Sequence, residues 1–198
     1  MQRLKIPVII ALMLLGAFLL ALVLELGIGF AQKGFHPIKY SEFVEKYSIE
    51  YNIPEYIIYS VINVESGFDP DASSGEANGL MQIAPTTFEW LTSAEHLNEN
   101  LPANSVFDPE INIKYGCYYL RYLFDKFQNW NTVFAAYNGG EGRVAKWLAD
   151  RQYSDGNGNL TYIPIKETRQ YVKKVNREIN YYKKEYYKND TGVKRDEQ

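Results

Sequence analysis

Cysteine is almost missing from this chain: the single Cys117 rules out an internal disulfide. Its neighbours at helical spacing, Ile113, Leu120 and Phe124, make it read as a small buried apolar residue, with a reactive thiol as the alternative. Histidine is nearly as scarce. There are only His36 and His96, and no Cys/His pair stands at zinc-ligand spacing, so no metal site, no serine–histidine triad and no cofactor is evident. An excess of either charge is also lacking: a net charge of −3 and a pI near 5.5 give no broad basic surface, which argues against nucleic acid as a partner. Strand-like alternation is confined to a few residues around Leu160 to Ile163, and no internal repeat is present. The fold class expected is therefore all-α, mainly helical.

What the chain does have is apolar residues, 46% of the total, and an unusual 17 tyrosines. Its 198 residues give room for one compact domain and a short appendage. The appendage is at the start. From Ile6 to Leu24 no residue is charged, while Arg3 and Lys5 stand just before. As a helix this run approaches the ~30 Å thickness of a bilayer core, and the positive flank favours a cytoplasmic N-terminus. The sequence thus predicts an N-terminal transmembrane helix, a single-pass cell-membrane protein and an extracytoplasmic domain. The alternative is a signal peptide cut after Gly29-Phe30-Ala31, giving a secreted protein. The expected organisation is 1–34 anchor or signal segment and connector, 35–187 folded domain, and 188–198 polar tail.

Past the connector, helical spacing or start signals predict helices over Tyr40 to Tyr51, from Pro54 to a stop at Gly67, from Pro85, and from Pro109 with Asp108 as cap. Further helices are expected over Thr132 to Tyr137, Glu141 to Asp150 and Glu167 to Tyr187. The loop from Asp155 to Asn159 alternates oxygen-bearing residues as a calcium loop does. Leu160 and Lys166 stand where glycine and glutamate are needed, so a plain turn is the expected structure.

Within the Pro54 helix, Ile57, Ile58, Val61 and Ile62 form an apolar stripe that Glu65 continues. A carboxyl there is partly desolvated and sits at the negative end of the helix dipole. Both raise its pKa toward what a general acid needs. On this segment alone a second reading stands equally well, a glutamate that turns to solvent or pairs with an arginine.

Further segments decide between them. Glu65-Ser66-Gly67-Phe68, Ser73 ahead of Ala77-Asn78-Gly79-Leu80-Met81-Gln82-Ile83, Ala136-Tyr137-Asn138-Gly139-Gly140, and Glu167-Thr168-Arg169-Gln170-Tyr171-Val172 together resemble the soluble lytic transglycosylase family, over roughly Ser41 to Glu185. The resemblance implies a lysozyme-like helical fold acting on peptidoglycan glycan strands, with Glu65 as sole catalytic acid/base. It implies non-hydrolytic cleavage between MurNAc and GlcNAc, leaving 1,6-anhydro-MurNAc ends.

It also implies substrate-binding roles for Ser66, Ser73 (or Ser74 in its place), Gly79, Gln82, Tyr137, Asn138 and Tyr171. Gly79 would let backbone approach the sugar, and Gln82 and Asn138 would serve sugar hydroxyls and acetamido groups through their neutral amides. Tyr137 and Tyr171 would offer hydroxyls to the catalytic carboxyl. Glu76, Ala84, Ala135 and Gly139 depart from the family's pattern, and Ala84 in place of a common methionine is expected to open the cleft slightly. Leu80, Met81 and Ile83 are expected in the core, and the Tyr181-Tyr182 and Tyr186-Tyr187 pairs on exposed or capping faces of the last helix. Two rival functions remain: a muramidase that admits water to the same glutamate, and a silent glycan-binding scaffold within an envelope assembly of unnamed partners.

Overall fold

A computed structural model describes residues 6–93 and 95–188; in its first helix, side chains are described at only some positions. The tail after Lys188 lies outside the described residues. The chain divides into two compact units, Met1–Pro37 and Ile38–Gln198.

The first unit is one helix, α1 (Ile6–Phe35). Side chains described continuously through positions 13–25 are all exposed. Among the described residues no helix is long and apolar enough to cross a membrane. The membrane-spanning helix expected from the sequence is therefore not supported among the described residues.

The second unit runs α2 (Ser41–Tyr51), α3 (Glu55–Glu65), α4 (Pro85–Thr92), a 3-10 turn (Ala103–Phe107), α5 (Pro109–Phe127), α6 (Trp130–Gly139), α7 (Glu141–Ala149) and α8 (Lys166–Tyr186). Among the described residues there are no strands, only isolated bridges. Local chemistry sets several of these boundaries. Pro85 and Pro109 each occupy a first helical turn, where their missing N–H costs nothing, and Asp108 accepts from the Ile111 N–H at 3.0 Å. Pro54 sits one residue earlier than expected, capping α3. Asn129 caps α6 by accepting from the Thr132 N–H at 3.1 Å, so that helix starts before the expected Thr132. Its other end runs through the expected stop to Gly139, because Gly139 packs flat against Thr168 of α8 and the break falls at Gly140, φ +89°.

The helix that carries Glu65 is enclosed on all sides: Ile57 through Ile62 are buried without interruption, which is the pattern of a central helix. It packs against α8, whose buried residues Thr168, Tyr171, Val172, Val175, Glu178 and Tyr182 recur at helical spacing. Tyr182 is not the exposed residue expected. It is fully buried and stacked on Tyr59 at 5.6 Å between centroids, while the Tyr187 hydroxyl donates to Glu55 at 2.7 Å. Cys117 is fully buried, and burial pushes its thiol pKa far up, away from reactivity. The Asp155 loop is a turn that consumes its own oxygens, its carboxylate accepting from Asn157 N, Asn159 N and Asn159 Nδ2.

Candidate active site

Glu65 is the last residue of α3, and the chain then reverses sharply. Gly67 and Phe68 both take left-handed backbone conformations, φ +61° and +68°, folding positions 69–84 back over the helix end. Two bridges, Ser73 to Asn78 and Asn78 to Ile83, stiffen this loop, and Leu80, Met81 and Ile83 plug it into the core, as expected of them.

Most of the polar groups expected to meet substrate are occupied in holding the loop. Ser66 Oγ donates to Leu80 O at 2.8 Å, tying the helix end to the loop. Ser73 Oγ donates to Asn78 Oδ1 at 2.8 Å, and Ser74 Oγ bonds within the loop to Ala77. Gln82, itself left-handed at φ +47°, donates from its amide nitrogen to Ala72 O and Gly79 O, both at 3.0 Å, so its amide oxygen is the atom left to serve a ligand. Gly79 is also required by the loop itself, apart from the expected approach of backbone to sugar. Its φ is +76°, and a Cβ would collide with Asn112 Nδ2 and lie 2.6 Å from Val106 O, on the inner side of the loop.

Asn112, on α5, was not singled out from the sequence. Its oxygen accepts from Met81 N at 2.7 Å and its nitrogen donates to Val106 O at 2.7 Å, both buried, and the nitrogen also donates to the part-buried Asn78 O at 3.1 Å. The available signal was a lone amide on a helix stripe otherwise made of Ile113, Tyr115 and Gly116, a position where a polar group must find partners.

Tyr137 donates to Met81 O at 2.8 Å rather than to the acid. Asn138 is exposed. Tyr171 differs from both: its hydroxyl is buried and meets no partner of hydrogen-bonding geometry, yet it lies against the Glu65 carboxyl and acts to lower its pKa. Burial outweighs this and pushes Glu65 up to about 7, although the carboxyl keeps a partial opening to solvent. Burial, then the nearby Glu65 charge, raises both tyrosines well above the ordinary phenol range, so both remain protonated donors. Among the described residues Glu65 makes no arginine pair: Arg169 donates to the carbonyl of Ile163, and Arg177 pairs with Glu178 at 3.1 Å. Nor, among the described residues, does a second carboxylate act on Glu65. Asp69, Asp71 and Glu76 are all exposed, and Asp69 accepts from the Asp71 N–H.

A helical domain with one crowded carboxyl at a helix end, faced by buried tyrosines, belongs to the lysozyme-like class, and the solved structures agree. The chain superposes on the 70 kDa soluble lytic transglycosylase of Escherichia coli with a TM-score of 0.69 and 32% identity, over 80% of this chain and 26% of that one. An inactive mutant of lytic transglycosylase Slt from Pseudomonas aeruginosa matches with a TM-score of 0.67 and 27% identity, over 80% of this chain and 26% of that chain. In sequence, the soluble lytic murein transglycosylase of Escherichia coli K12 is 35% identical over 143 residues, 70% of this chain and 22% of that protein. The membrane-bound lytic murein transglycosylase C of Serratia proteamaculans is 35% identical over 160 residues, 70% of this chain and 45% of that protein. The Transglycosylase SLT domain family matches residues 42–159, and the chain belongs to that family. It spans less than half the length of these relatives.

Proposed function

We propose that this chain is a peptidoglycan lytic transglycosylase with Glu65 as its only acid/base. One observation carries the reading: a lone carboxyl with its pKa pushed up to about 7 by burial and no second carboxylate acting on it. Protonated, it gives its proton to the oxygen joining MurNAc to GlcNAc, and the bond to MurNAc C1 breaks, releasing GlcNAc with a hydroxyl. The glutamate left behind takes the proton of the same MurNAc's C6 hydroxyl as that oxygen closes on C1. The acid is restored and a 1,6-anhydro ring remains. A nucleophile already in the substrate needs neither a positioned water nor a second carboxylate.

Tyr171 supplies the donor for the ionised stage, since its unpaired hydroxyl stands against the carboxyl that becomes charged. The Gln82 amide oxygen and the exposed Asn138 serve sugar hydroxyl and acetamido groups, while Ser66, Ser73, Gly79 and Tyr137 act by holding the loop and its backbone in place.

The apolar run from Ile6 to Leu24, with Arg3 and Lys5 before it, supports a single-pass anchor with the enzyme domain outside the cytoplasmic membrane. We assign residues 1–34 to this segment, 35–187 to the enzyme and 188–198 to a polar tail. Wall remodelling or turnover is the role that fits.

The test is mass spectrometry of muropeptides released from purified peptidoglycan by the full chain and by Glu65→Gln. Anhydro-MurNAc ends are expected from the first, with a loss of at least about 10²–10⁴-fold in the second, the range for removing a general acid–base. Reducing MurNAc ends would indicate a muramidase, and no release by either protein would indicate a binding module.

A further inference from the structure

We infer that Trp90 and Tyr119, edged by Glu141, form a subsite for a sugar of the glycan strand beyond those joined by the bond that Glu65 acts on. The inference rests on the function just proposed. The aromatic surface starts beside the acid: Tyr137, whose hydroxyl holds Met81 O, has its ring 5.3 Å from that of Tyr119. Tyr119 in turn meets Trp90 at 6.3 Å and Tyr122 at 6.3 Å, and Trp90 and Tyr122 lie 5.1 Å apart, so the four rings form one contiguous aromatic cluster that Tyr137 joins to the loop after Glu65.

These rings are not simply core. Tyr59 and Tyr115 are enclosed almost completely, whereas Trp90, Tyr119 and Tyr122 are only half-buried. Trp90 borders two open depressions. One, of about 210 Å³, is lined by Thr86, Thr87, Trp90, Tyr119 and Glu141, and the other, of about 500 Å³, by Thr86, Glu89, Trp90, Ser93 and Glu95. A shallow site with an aromatic floor and a few hydroxyl and carboxylate groups at its rim suits a pyranose, which has an apolar C–H face and a polar circumference. Hydroxyl and acetamido N–H groups would donate to Glu141, and Thr86 and Thr87 can both donate and accept.

The floor is also held in advance of binding. Trp90 is packed by His96, Tyr122 and Tyr119 at interplanar angles of 65°, 81° and 86°, and His96 Nδ1 lies 3.0 Å from the Tyr118 hydroxyl. A ring wedged this way loses little freedom when a sugar stacks on it. Trp90 and Tyr119 stand on α4 and α5, apart from every motif quoted above, so they would set how much strand is gripped rather than which bond is cut.

The experiment uses the full chain carrying Glu65→Gln, in non-ionic detergent, titrated with purified uncrosslinked GlcNAc–MurNAc strands sorted by length. Trp90→Ala is expected to weaken binding of long strands about tenfold and of a disaccharide less than about twofold, as one lost stacking contact would. If Trp90→Ala does not fold, Glu141→Gln keeps the shape and an acceptor oxygen but removes the charge, and is expected to cost about threefold on long strands alone, the difference between a charge-assisted and a neutral hydrogen bond. Losses equal at every length, or no loss from either variant, would overturn the subsite. Length-dependent binding with no anhydro ends from the unsubstituted chain would sink the transglycosylase reading and leave the subsite standing. Anhydro ends with length-blind binding would do the reverse.

Discussion

Glu65 is charged at a cost, and the sign of that cost can be measured. Its pKa of about 7 in the folded protein lies above the ordinary 4.5, so between those values the folded chain binds a proton that the unfolded chain has released. Stability falls as pH rises through this window, and the full penalty stands above about pH 7. Glu65→Gln keeps the shape and removes the charge. It is expected to stabilise the protein by about 1–3 kcal/mol at pH 8 and by close to nothing near pH 4.5, the upper figure being the shift converted to free energy. Thermal unfolding at the two pH values measures the difference, and an equal gain at both would mean that desolvation does not set this pKa. The position of Glu65 was legible because it extends the Ile57–Ile62 stripe, a matter of local spacing. The work of its neighbours was not. Ser66 and Gln82 were read as groups facing sugar and Tyr137 as offering its hydroxyl to the acid, whereas in the fold their donors meet the carbonyls of Leu80, Ala72, Gly79 and Met81, which the loop and its packing bring within reach.

The same division holds for the elements. Helix starts marked by Pro85, Asp108 and Pro109 could be read from sequence, since a proline or a cap acts on its own turn. The start of α6, capped by Asn129, was equally local and was missed, whereas its end could not be read, because the Gly139–Thr168 contact sets it and Thr168 belongs to α8. The loop after α3 is the least local element, because its inner surface is bonded to Asn112. Asn112→Ala would leave Met81 N–H and the Val106 carbonyl without their partner in the interior, while the Asn78 carbonyl keeps the Ile83 N–H. At about 1–3 kcal/mol for each orphaned group, partly offset by relaxation, a loss of about 3–5 kcal/mol is expected in urea unfolding. A loss under about 1 kcal/mol, the worth of one ordinary hydrogen bond, would show that the loop stands without this anchor.

At the scale of the whole molecule, family membership rests on the second unit, while the address of the protein rests on the first. The intact mass of the exported chain separates the two readings of the start. Retention of all 198 residues is the outcome expected of an anchor, and loss of the first ~31, a usual signal-peptide length, would make the product a secreted protein.

Asn112 also bears on how such domains can be recombined. The backbone positions that Gly79 and Met81 hold depend on an amide supplied from α5, 31 residues downstream of Met81. Positions 66–84 are consequently not a transplantable cassette. A graft of this loop into another helical scaffold would arrive without the side chain that gives it shape, and the smallest portable unit is the loop together with the first turns of α5.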